Sequence, residues 1–297
     1  RFVWDGLRTQ RLDRPYVRRG GKLQPASWAE AFAAIRDAVA KTSGERIGAI
    51  AGDLATVEEM YALKSLMASL GSRNIDCRQD GAALDAAAGR AGYIFNPGID
   101  GIEQADAILI IGSNPRFEAS VLNTRIRKRW RASDLPIGVI GEVGDLRYDY
   151  EMLGAGPDTL RELAEGGIRF HAALKKAKRP LIIVGQGALA RPDGASVLAL
   201  AARVAVDVGA VSDEWNGFAV LHTAAARVGG LDLGFVPGEG GKDAAAMMGA
   251  LDVLFLLGAD EFDMSRIGSA FTVYIGSHGD AGAHRADVIL PGAAYTE

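Results

Sequence analysis

Residues 105–115 read Ala105-Asp106-Ala107-Ile108-Leu109-Ile110-Ile111-Gly112-Ser113-Asn114-Pro115. The apolar run from Ala107 to Ile111 has no polar alternation. It suits a strand buried on both faces, as in a parallel sheet covered by helices. It is far too short for a membrane-spanning helix, which needs about 20 residues. Gly112 follows at once, where a glycine lets the backbone turn sharply at a strand's carboxyl end. A helix is expected beyond the turn, from about Glu118 to Trp130.

The same grammar recurs along the chain. Leu181–Val184 is followed by Gly185-Gln186-Gly187, and Val253–Leu257 by Gly258-Ala259-Asp260. Arg46–Ala51, Asn74–Cys77, Ile137–Ile140, Phe271–Ile275 and Val288–Leu290 are further strand candidates. Two helices announce their starts with capping boxes, Ser27 with Glu30 and Thr56 with Glu59. Behind them, Trp28, Ala31, Phe32, Ile35 and Val39, then Met60, Leu63, Leu66, Met67 and Leu70, recur at helical spacing. Helices are also expected over 171–177, 195–204, 215–228 and 244–250. Residues 1–26 read as an extended arm with turns, and 229–241 as a loop. Strands alternating with helices predict an α/β fold with mostly parallel sheets. A length of 297 residues predicts about two domains. In such sheets ligands bind beyond the carboxyl ends of the strands.

Composition narrows the chemistry. With 48% hydrophobic residues the chain is not a disordered segment. One cysteine, Cys77, excludes an internal disulfide, and it cannot by itself hold an iron–sulfur cluster or a Cys-rich zinc site. Its place at a strand end reads as a buried structural thiol. The net charge of −4, with no nucleic-acid-binding motif, argues against nucleic acid as a partner. Residues 1–22 hold seven Arg and Lys against two Asp, and Arg125, Arg127, Lys128, Arg129 and Arg131 form a second basic cluster. Both read as solvated surface, as a docking surface for an acidic partner or as a nucleotide phosphate site. No apolar core marks the first 22 residues as a signal peptide. The chain starts at Arg1 and stops directly after a strand-like run, which suggests a piece of a longer polypeptide.

Several motifs invite sharper readings. Gly185-x-Gly187-x-x-Ala190 with Asp207 downstream has the outline of a dinucleotide fingerprint, but Arg191-Pro192-Asp193-Gly194 interrupts the helix that should bind the phosphates. A plain strand-end turn accounts for the glycines better. Gly238-Glu239-Gly240-Gly241-Lys242 fails P-loop spacing. His278, Asp280 and His284 share one loop without a fourth metal ligand. No nucleophile, base or paired carboxylates emerge, so no catalytic residue and no metal site is assigned.

Three ordered segments together resemble the molybdopterin oxidoreductases. Asp5-Gly6-Leu7 through Ser27-Trp28-Ala29-Glu30-Ala31 is similar to the segment that follows their iron–sulfur region. Residues 105–115 resemble their "AD-x-I-L-x-x-G-x-NP" strand and loop, and Ala286-Asp287-Val288-Ile289-Leu290-Pro291-Gly292 resembles their "ADVVLP" strand. Within that superfamily, Asn114-Pro115-Arg116-Phe117-Glu118-Ala119 and Asn123-x-Arg125-Ile126-Arg127-Lys128 resemble the large peripheral iron–sulfur subunit of respiratory complex I. Phe255–Asp260, His278-Gly279-Asp280 and Pro291–Glu297 are similar to that subunit as well.

The resemblance implies two interleaved Rossmann-like doubly wound domains, in a fragment lacking the iron–sulfur N-terminal part. An arm and helix would occupy 1–44. One discontinuous domain would comprise 45–80 and 181–297, with a second, 81–180, inserted into it. It implies a cofactor-free scaffold within a complex that passes electrons from NADH to quinone, the parent subunit's clusters lying elsewhere. Its partners would be other peripheral-arm subunits, at the cytoplasmic or matrix face of the respiratory membrane and without direct membrane insertion. Gly112, Asn114, Arg116 and Glu118 would be a relic nucleotide site. Two alternatives stay open. One is a molybdopterin enzyme fragment with Cys77 or Asp80 as metal ligand. The other is a nicotinamide- or flavin-binding domain using Gly185, Gly187 and Asp207; the run 179–185 also resembles the central domain of thiamine-diphosphate enzymes.

Overall fold

The computed structural model describes residues 2–297, so Arg1 of the arm lies outside the described residues. Twelve strands are named among them: β1 (Tyr16–Arg19), β2 (Lys22–Pro25), β3 (Ile47–Ala51), β4 (Asn74–Asp76), β5 (Ala107–Ile111), β6 (Ile137–Ile140), β7 (Glu151–Gly154), β8 (Pro180–Val184), β9 (Phe218–Val220), β10 (Val253–Leu257), β11 (Phe271–Gly276) and β12 (Val288–Pro291). They fall into two compact units. The first combines the chain up to Gly81 with Ala224–Glu297, and the second is Ala82–Thr223.

The first unit holds a seven-stranded sheet in the order β2-β1-β12-β11-β10-β3-β4. From β12 to β4 all neighbours are parallel, and Leu254 of β10 lies opposite Gly48 on one side and Thr272 on the other. The expected arm is more ordered than its composition suggests. Phe2–Arg8 is helical, and β1 and β2 form an antiparallel hairpin added to β12. Gly20 and Gly21 make its two-residue turn with φ of +58° and +78°, the combination a type I′ turn demands. Arg11 turns part of the basic cluster inward, donating from Nη1 to the carbonyls of Ser277 (2.7 Å) and Gly292 (3.0 Å). Both expected capping boxes are present, opening the helices Trp28–Val39 and Val57–Ser69. Under β10 and β11, Ile50, Leu254, Leu256, Tyr274 and Ile289 pack into one core with Met247 and Leu251.

The second unit holds a five-stranded parallel sheet in the order β7-β6-β5-β8-β9. Ile108 and Ile110 of β5 pack with Ile102 and Ile126 from the helices Gly98–Gln104 and Ser120–Ala132. The latter is the helix expected after the Gly112 turn, preceded by a separate helical turn, Pro115–Glu118. β8 pairs with β5, Leu181 opposite Ile108 and Val184 opposite Ile111. This moves the domain boundary. Residues 181–223, expected in the first domain, belong to the second. An all-apolar strand is acceptable to any buried parallel neighbour, so its composition names no partner.

The helix expected over 215–228 is replaced by β9 and a short helix, Arg227–Asp232. The Trp215 indole N–H donates to the Pro180 carbonyl at 2.8 Å. A Cβ on Gly217 would sit 2.0 Å from that same oxygen. These contacts hold the segment extended beside β8. Among the described residues no helix is long and apolar enough to cross a membrane.

Candidate functional site

In the second unit the strands run outward from β5 on one side and from β8 on the other, so the order reverses between them. This is the switch point where open α/β sheets place ligands. A cavity of about 460 Å³ lies there, lined by the turn Gly112–Asn114 with Glu118, Gly141, Gly187 and Arg191 among others. Gly112 has φ +59° and donates its N–H to Ile140 O at 2.8 Å. A Cβ on Gly185 would meet Ser113 Cβ at 2.4 Å, and one on Gly187 would meet Gly112 O at 2.7 Å. The close approach that a Gly-x-Gly pair offers a phosphate is therefore made by the neighbouring turn of this chain. Asp207 is equally engaged, with Lys175 Nζ at 2.9 Å and His171 Nε2 at 2.8 Å, contacts that hold its carboxyl below the usual range.

Of the four residues expected as a nucleotide relic, Gly112, Asn114 and Glu118 line this cavity and Arg116 does not. Arg116 instead donates to Asp145 O at 2.7 Å, pairs with the Asp145 carboxylate at 3.3 Å, and lies over the Phe117 ring. Glu118 folds back on the turn. Its carboxylate accepts from Ser113 Oγ at 2.7 Å and from the Asn114 N–H at 2.8 Å. Asn114 Oδ1 is buried without a hydrogen-bond partner among the described residues.

The first unit has its own reversal, between β3 and β10. There a Cβ on Gly52 would lie 1.9 Å from Gly258 O, so these two strand-end turns also pack on each other. Carboxyl groups gather just beyond, a grouping that sequence reasoning missed. Burial raises the Glu261 carboxyl, and the neighbouring Asp53 raises it further. Asp53 accepts from Gln79 Nε2 at 2.8 Å. The strand-end pattern Gly258-Ala259-Asp260 was the available signal. What was missing was that β3, about 200 residues upstream, lies beside β10 and brings Asp53 there.

The residues that would hold molybdenum do not fit that role. Cys77 is 3% exposed, and burial pushes its thiol up to about 12, with Asp76 adding to the rise. A Cβ on Gly230 would meet its Sγ at 2.7 Å, so that helix covers the sulfur. Asp80 accepts from Arg227 Nη2 at 2.9 Å, and Arg227 Nε donates to Cys77 O at 3.1 Å. A buried guanidinium thus occupies both the carboxylate and the backbone of this loop. Cys77 is accordingly expected to resist a disulfide reagent in native buffer and to react only as the chain unfolds; rapid stoichiometric labelling would show the sulfur to be accessible. His278 is likewise engaged, with Nδ1 2.9 Å from Ser277 Oγ and Nε2 3.2 Å from Gly6 O.

Residues 11–297 match the family model described as molybdopterin oxidoreductase. The chain is 45% identical over 297 residues to a subunit of the NADH-quinone oxidoreductase of Rickettsia conorii, covering 100% of this chain and 43% of that protein. It is 42% identical over 299 residues to the mitochondrial NADH dehydrogenase [ubiquinone] iron-sulfur protein 1 of Solanum tuberosum, covering 100% of this chain and 40% of that one. It thus spans about two-fifths of the length of these relatives. Among solved structures it is similar to a chain of the formyltransferase/hydrolase complex of Methylorubrum extorquens, with TM-score 0.60 and 18% identity over 94% of this chain and 86% of that one. It is also similar to acetylene hydratase of Pelobacter acetylenicus, with TM-score 0.56 and 13% identity over 99% and 57%. At these identities the two structures speak for the fold alone.

Proposed function

The chain belongs to the molybdopterin oxidoreductase family, and from that premise we propose that it is the scaffold portion of a large iron–sulfur subunit of respiratory complex I, with no redox centre of its own. The observation that carries this reading is the 45% identity, across the whole chain, to a subunit of NADH-quinone oxidoreductase. The state of the family's metal-ligand loop supports it. Cys77 is buried beneath Gly230, and Asp80 is tied to Arg227. A sulfur covered in this way offers a metal no open ligand position, which favours a structural role for this loop. The iron–sulfur clusters would belong to another part of the parent subunit. The chain's contribution would be structural: two mostly parallel sheets with their helices, presenting surfaces to other peripheral-arm subunits, on the cytoplasmic or matrix face of the membrane. The turn Gly112–Asn114 with Glu118 would be what remains of a nucleotide site.

Two measurements test this. The chain, purified from a host that makes molybdopterin, is expected to contain neither molybdenum nor iron in stoichiometric amount; either metal at one per chain overturns the reading. In cells whose full-length subunit lacks this region, the peripheral arm is expected not to assemble. Normal assembly would remove the scaffold role.

A further inference from the structure

We propose that Glu118 is a built-in anion that fills the phosphate position of the second unit's ligand edge and keeps the cavity closed to phosphate-bearing ligands. The inference rests on reading that cavity as a former nucleotide site, and it says what shut it.

The turn after β5 presents two donors side by side, the Ser113 hydroxyl and the Asn114 N–H. Ser113 is 4% exposed, its side chain pinned where a Cβ on Gly185 would otherwise lie. A pair of fixed donors at a glycine turn is the arrangement that receives an anionic oxygen pair. Here Oε2 of Glu118 takes the hydroxyl at 2.7 Å and Oε1 takes the amide at 2.8 Å. One carboxylate, four residues along the same chain, meets both donors in a forked, charge-assisted geometry. An incoming phosphate would have to displace it and would then face its negative charge at close range.

The rest of the cavity wall reinforces this. Glu142 also lines it. Arg191, the guanidinium among the lining residues, is held by both oxygens of Asp193, at 2.7 and 3.0 Å. Exclusion of the wrong ligand by an unfavourable charge is a recognised source of specificity.

The test titrates the chain and its Glu118→Ala and Glu118→Gln variants with inorganic pyrophosphate and, separately, with GDP, by isothermal calorimetry, with thermal melts to establish folding. The native chain is expected to show no binding heat at millimolar pyrophosphate. Glu118→Ala is expected to bind pyrophosphate at least about tenfold more tightly, a gain of about 1.4 kcal/mol. Glu118→Gln, which keeps the size of the side chain but not its charge, is expected to gain less. Should Glu118→Ala fail to fold, Glu118→Gln decides. Pyrophosphate binding by the native chain as tight as by the variants overturns the proposal, and so does silence from folded variants. A gain for pyrophosphate without one for GDP upholds the internal anion while refuting the nucleotide ancestry of the cavity.

Discussion

Replacing Gly112 by valine is expected to cost about 3 kcal/mol of folding stability, from backbone strain and overpacking together. Gly112 sits at φ +59°, a region β-branched residues avoid. A Cβ there would lie 2.5 Å from Ala188 Cβ, 2.6 Å from Ala188 N and 2.9 Å from Ala188 Cα. Ala188 has little freedom to retreat. It belongs to the short helix Gln186–Leu189, and the preceding Gly185 is tied to β5 by its N–H bond to Ile111 O at 2.9 Å. The two turns at the switch point therefore have to move apart, and with them the ends of β5 and β8. Thermal melting is expected to shift down by about 9 °C. Gly112→Ala should carry most of the penalty, since the first added carbon makes the clash. An unchanged melting temperature for the valine variant would show that the turn is not tight.

The second large effect is expected at Arg227. Its side chain is 1% exposed, with Nη2 on Asp80, Nε on the Cys77 carbonyl, and Nη1 buried without a partner among the described residues. Arg227→Ala removes the cation facing a carboxylate and empties a large buried volume. A loss of about 3 to 4 kcal/mol follows from the broken pair and the cavity combined. Arg227→Met fills much of the space without the charge. It is expected to recover at least about 1 kcal/mol of that loss, because an apolar side chain in such a position is often tolerated. Asp80→Asn should cost less than Arg227→Ala, since Asp80 keeps 31% of its side-chain surface. Urea unfolding of the three variants separates the contributions. Equal stability of Arg227→Ala and the native chain would mean that the guanidinium is not a structural clamp for the loop from Cys77 to Asp80.

Much of the architecture is legible because its causes are local. The capping boxes at Ser27 and Thr56 lie within four residues of the helices they open. The strand ending at Gly112 declares itself by five apolar residues and a glycine. The misreadings have non-local causes. Residues 215–228 carry enough alanine and valine for a helix, but Pro180, some 35 residues earlier, captures Trp215 and holds the chain extended. The hairpin of β1 and β2 is marked only by Gly20-Gly21, and its stability comes from pairing with β12 near the other end of the chain.

The site divides along the same line. Gly112, Asn114 and Glu118 are readable as residues of a ligand edge, because the turn, the strand before it and the helical segment after it are contiguous. That Glu118 reaches back to occupy the donors, that Arg116 turns away to Asp145, and that Asp53 comes to lie beside Glu261 all depend on where side chains find partners in space. An α/β chain with parallel sheets follows from hydrophobic period and turn chemistry, which act over a few residues. Which unit owns β8, which cation covers Asp80 and which carboxyl lies beside Glu261 follow from strand pairing and buried charge compensation. Those act between residues that are far apart along the chain and adjacent only once it has folded.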